Sequence, residues 1–180
     1  MIKPEDLLDV ARDLAKLDAH RPRQASLRRA VSTAYYALFH LLNQSAVETC
    51  LGFGPSPAHR QIGETAVRWY THTRMAAVCA QFAGTGVHTK SKLRRALPSP
   101  ASTTPPSQAL QDVAKAFGTL QQARHDADYD PSKRFTRQGV LAHVGESEQA
   151  FKDWQGTNSD PFRPIFLLMM LTGDDVIRER

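Results

Sequence analysis

Four side chains in the second half of the chain have the types and spacing to handle a phosphate. In LQDVAKAFGTLQQARHDADYDP, residues 110–131, Arg124 supplies a fork of N–H donors and His125 a proton that moves near neutral pH. Asp128 adds a carboxylate one helical turn beyond Arg124, and Tyr129 adds an aromatic face with a hydroxyl. On a wheel of about 100° per residue, Val113, Ala114, Phe117 and Leu120 lie within about 80° of Leu110 and form one apolar stripe with it, and Arg124 falls in its middle. A guanidinium aimed at a core must be paired or must line a cavity, because an unpaired buried charge costs several kcal/mol.

A second group lies upstream in SLRRAVSTAYYALFHLLN. There Leu27, Ala30, Val31, Ala34, Leu38 and Leu41 share one helical face, while Arg29, Ser32, Tyr36, His40 and Asn43 lie within about 80° on the opposite one. Aromatic mass from Tyr35, Tyr36 and Phe39 wraps this helix, which suits an element buried on two sides. The expectation is that Arg124, Asp128 and Tyr129 lie near Arg29, Ser32, Tyr36 or His40 in the folded chain or its dimer.

The elements that must position these groups read as helices throughout. Pro4-Glu5 opens a first helix ending near His20-Arg21-Pro22; a long second one runs from about Arg23 to Cys50. LGFGPSPAH, residues 51–59, breaks the chain, and the periodicity predicts one third helix over roughly Ala58–Phe82. PSPASTTPPS, residues 98–107, holds four prolines and reads as a flexible surface loop. Pro105-Pro106 and Ser107 then start the helix that carries Arg124, and Pro131 stops it. A basic SKRF loop leads to Thr136, the N-cap of a helix through Trp154, and Asp160-Pro161 caps a last helix containing IFLLMML. No segment alternates with period two, so the predicted class is all-α: an up-and-down four- or five-helix bundle with an extra C-terminal helix, forming a single domain over residues 1–180.

Composition narrows the classes. The 180 residues are 41% hydrophobic, enough for a real core, and no apolar run approaches the ~18 residues a bilayer span requires. With acid in MIKPEDLLD where a signal peptide has basic and apolar regions, the expected location is the cytoplasm, without membrane contact. Cys50 and Cys79 lack metal or disulfide spacing and read as small buried hydrophobes. No cofactor or metal is expected. From His20 to Ser99, eleven Lys or Arg stand against only Glu48 and Glu64, a net +9 that can attract a polyanion. The apolar IFLLMML segment is either buried or a subunit contact, and with the two-sided second helix it favours a homodimer.

RRAVSTAYYALFH, residues 28–40, followed far downstream by ARHDADYDP, residues 123–131, resembles the HEPN domain family of small α-helical bundles. The resemblance implies a four- or five-helix fold, often dimeric, in a family that includes metal-independent ribonucleases, toxins of toxin-antitoxin pairs, partners of minimal nucleotidyltransferases, and nucleotide- or RNA-binding modules. Arg124 and His125 match the first two positions of the ribonuclease signature, and Tyr129 stands where its final His would be. In a nuclease of this kind His125 would move the proton and Arg124 would stabilise a pentavalent phosphorane. The implied partners are RNA or a nucleotide, a second copy of the chain, and a nucleotidyltransferase or antitoxin.

Two other classes stay open at the level of sequence. His125-Asp126 is the dipeptide of HD-type metal phosphohydrolases, for which His72 and His88 would be further ligands. Alternatively, Arg124 and Asp128 form an internal i,i+4 ion pair that locks the helix end against helix two in a non-catalytic, dimeric interaction protein.

Overall fold

The computed structural model describes residues 2–18, 20–52, 56–66, 70–84 and 105–172. These residues are all-helical. The elements are α1 (Pro4–Lys16), α2 (Gln24–Leu51), α3 (Pro57–Ala66), α4 (His72–Phe82), α5 (Gln108–Tyr129), α6 (Arg137–Gly156) and α7 (Arg163–Thr172). None of the described helices is long and apolar enough to cross a membrane. The chain groups into two compact units, residues 1–41 with 116–152 and residues 42–115 with 153–180.

In the first unit, α1 and parts of α2, α5 and α6 surround a core of small and branched side chains. Ala11, Ala15, Leu27, Ala30, Val31, Ala34, Ala123, Ala127, Phe135, Val140 and Val144 are buried together. The alanines let the helices approach closely, and Tyr35 fills the space beyond them, its ring centroid 5.4 Å from Phe117 and 6.0 Å from Phe39. Between Ala30 and Phe39 every residue but the half-buried Tyr36 is buried, so α2 is enclosed on both faces as its aromatic content suggests.

Long side chains close the helix ends of this unit. α1 stops at Lys16, short of the expected His20-Pro22 boundary, because Leu17 turns out of the helix at ψ 146° and Asp18 follows in the left-handed region at φ 55°. Arg137 then donates to the carbonyls of Ala15 (3.2 Å), Leu17 (3.1 Å) and Asp18 (2.7 Å). Arg28 does the same for α5, donating to Asp126 O, Ala127 O, Asp130 O and Lys133 O at 3.3, 2.7, 2.8 and 2.5 Å. Carbonyls of a last helical turn have no partner within their own helix, and a cation there also suits the dipole. Thr136 caps α6 through Gly139 N–H (3.1 Å), as its position predicts.

The second unit is built on larger apolar groups. Phe166 of α7 packs against Phe82 of α4 and Trp154 of α6, at centroid separations of 5.0 and 6.2 Å. Phe166, Leu167, Met169 and Met170 are buried, so most of IFLLMML is spent inside its own unit. Ser107 caps α5 through Leu110 N–H (3.3 Å), and Asp160 accepts from Ser107 N–H and Phe162 N–H, with α7 itself beginning at Arg163. The single helix expected over Ala58–Phe82 is two. Thr71 accepts from Arg74 N–H and starts α4 anew, a cap that the continuous apolar spacing conceals. Cys79 is buried but Cys50 only half so, which corrects the reading of both as buried. Residues 98–104 of the predicted proline-rich loop lie outside the described residues.

Candidate functional site

The last two turns of α5 meet α2 within the first unit, and the meeting is made by polar groups. Ser32, buried on the polar stripe of α2, donates its hydroxyl hydrogen to Asp128 Oδ1 at 2.6 Å. Arg124 Nη2 donates to Tyr36 Oη at 3.2 Å, and Arg124 Nε lies 2.7 Å from Asp128 Oδ2. The Nε–H is not directed at that oxygen, so this second contact is a charge contact and not an aligned hydrogen bond. One of the five guanidinium N–H groups is thereby hydrogen-bonded, and the others have no hydrogen-bond partner among the described residues.

Aromatic faces flank the cation. The Arg124 guanidinium carbon is 5.7 Å from the ring centre of Tyr36 and 5.3 Å from that of Tyr129. Burial works against its charge, but the Tyr36 hydroxyl, Asp128 and Tyr129 outweigh that and raise the guanidinium's pKa. Tyr129 itself is 63% exposed, and its ring stands 5.2 Å from that of the exposed His125. Inside the site, then, are a fixed cation and carboxylate; outside it, two accessible rings.

The remaining expected residues fall at the margins. His40 stacks at 6.4 Å from Tyr36, and burial holds its imidazole below the ordinary value. Arg29 is exposed, and no described residue engages its guanidinium, although its carbonyl accepts from Thr33. Asn43, the last of the stripe, belongs to the second unit, where its amide is fully buried with neither nitrogen nor oxygen bonded among the described residues.

Two residues that sequence reasoning passed over complete the arrangement. Arg28 holds the carbonyl end of α5, and Gln24 pairs with Phe135 in both directions, Nε2 to the carbonyl at 2.8 Å and the amide N–H to Oε1 at 3.0 Å. Their partners are main-chain atoms, and no side-chain pattern in the sequence marks them for this role. No group of three or more His, Cys, Asp or Glu among the described residues could hold a metal ion; His72 opens α4, and His88 lies outside the described residues. No family model, curated protein or solved structure matches the chain.

Proposed function

We propose that this chain is a HEPN-like protein that binds RNA or a nucleotide at the end of α5, with Arg124 on a phosphate and Tyr129 and His125 against a base. The observation that carries this reading is the exposed Tyr129 ring beside a guanidinium whose remaining N–H groups are uncommitted. Single-stranded nucleic acid is bound in general by aromatic platforms for its bases and cations for its backbone. Cleavage without a metal, as in toxin-type ribonucleases, would use His125 to move a proton and Arg124 to stabilise the phosphorane. A homodimer, and a nucleotidyltransferase or antitoxin partner, belong to the same reading.

Binding of a fluorescent single-stranded oligonucleotide, followed by anisotropy, tests it. Tyr129→Ala should weaken binding by about 5- to 150-fold if one base stacks there, worth ~1–3 kcal/mol, while Tyr129→Phe should keep most of it. Unchanged affinity in folded Tyr129→Ala and Arg124→Ala proteins would refute the proposal.

One observation favours the non-catalytic alternative. Asp128 joins Ser32 of α2 to Arg124 of α5, which is what a structural lock between helices requires. Under that reading Arg124→Ala lowers stability and leaves the binding of the folded fraction unaltered.

A further inference from the structure

The loop after α5 has no regular structure, yet four of its six residues, Asp130, Ser132, Lys133 and Phe135, are held by hydrogen bonds. Asp130 Oδ1 accepts from Ser132 N–H (2.9 Å), Ser132 hydroxyl (2.6 Å) and Lys133 N–H (3.3 Å). Arg28 holds the carbonyls of Asp130 and Lys133, its guanidinium carbon 5.6 Å from the Phe135 ring centre, and Gln24 holds both main-chain groups of Phe135. Six residues of coil are therefore presented in one shape. Within that loop Lys133 and Arg134 are both exposed.

The charges around this loop are unevenly committed. Asp126 is occupied by Gln122 Nε2 at 2.7 Å and Lys133 Nζ at 3.4 Å, Asp128 by Ser32 and Arg124, and Asp130 by its own loop. Arg134 has no ion pair or hydrogen bond among the described residues, and Lys133 holds only the long contact to Asp126. A helix C-terminus ordinarily repels anions, since its free carbonyls carry about half a negative charge. Here the Arg28 cation lies on those carbonyls and offsets them.

We propose that residues 130–135 form a flanking-phosphate subsite for single-stranded RNA, with Lys133 and Arg134 contacting the backbone beyond the base held at Tyr129 and Arg28 acting as the positioning residue that makes the site hospitable to an anion. This rests on the reading of the α5 end as an RNA or nucleotide site, and deepens it by committing to a strand and not a lone nucleotide. The loop immediately follows Tyr129 in the chain, so a strand stacked on that ring would continue toward Lys133 and Arg134.

The test measures anisotropy of a fluorescent single-stranded oligonucleotide over a range of salt, with a nucleoside 5′-monophosphate as competitor. Each phosphate contact with a single strand adds roughly 0.7 to the slope of log affinity against log salt. Combined Lys133→Ala and Arg134→Ala should weaken the oligonucleotide severalfold and reduce that slope by about 1.4, leaving competition by the mononucleotide unchanged. Arg28→Gln should also weaken the oligonucleotide but leave the slope intact, because Arg28 touches carbonyls and no phosphate. Arg134→Ala alone, at an exposed side chain, reports the same effect at about 0.7 in slope should the Arg28 variant fail to fold. If the double variant keeps wild-type affinity and slope while Arg124→Ala still weakens binding, the subsite is refuted and the parent reading stands. If Arg124→Ala and Tyr129→Ala are also without effect, both are refuted.

Discussion

Removing the Arg124–Asp128 contact singly and together measures how far this pair holds the two helices. The side chains are 17% and 26% exposed, between a surface pair worth ~0–1 kcal/mol and a buried pair whose disruption costs ~3–5 kcal/mol. The order Arg then Asp toward a helix C-terminus is the unfavourable one for the dipole, which subtracts a few tenths of a kcal/mol, about 0.3–0.5. Against this, Ser32 fixes Asp128 and Tyr36 fixes Arg124, so little side-chain freedom is left for the pair itself to lose. The coupling should thus be about 1–2 kcal/mol. Urea unfolding of Arg124→Ala, Asp128→Ala and the double variant, followed by far-ultraviolet circular dichroism, gives it directly. Adding salt should reduce it only slightly, since partly buried charges are poorly screened. A coupling below about 0.3 kcal/mol would mean that the contact is no better than a solvated surface pair, and the geometric argument for a fixed cation at the site would fail.

Two further outcomes follow from single residues. Burial lowers the pKa of the His40 imidazole, so as pH falls the unfolded chain binds more protons and the contribution to stability is present above about pH 6.5 and lost as pH falls through the depressed folded value; His40→Gln should flatten this part of the acid limb in denaturation midpoints, and an identical pH profile would refute the assignment. Asn43 is fully buried with both amide atoms unbonded among the described residues; Asn43→Ala should raise stability by about 1 kcal/mol, the relief of two unpaired groups exceeding a small cavity, whereas a loss of that size would show that ordered water bonds the amide in solution.

The all-helical class was legible because apolar spacing at three and four residues survives in nearly every element, and Ser107 and Thr136 mark two helix starts by chemistry as well as position. The wheel on α5 was also informative, since a charge placed within an apolar stripe has to find partners, and Arg124 finds Tyr36 and Asp128. The break before α4 was hidden because apolar residues continue across it, while Thr71, its cap, looks like any other threonine. Arg28 and Gln24 escaped notice for a different reason: both bind main-chain atoms, and side-chain patterns say nothing about which distant carbonyls a fold will leave open.

The two guanidinium-closed helix ends bear on how the first unit assembles. Arg28 is separated by 98–105 residues from the carbonyls it collects, and Arg137 by 119–122 from those it collects. Both α1 and α5 take donors for their end carbonyls from far along the chain, in contrast to a helix ended by its own glycine. On a growing chain, α1 emerges long before Arg137 and waits with frayed carbonyls, while Arg28 emerges long before the turn it will grip. Closure of both ends therefore falls late, at the cost of a long loop, and makes the first unit slower to fold and more all-or-none than its helical content would otherwise make it.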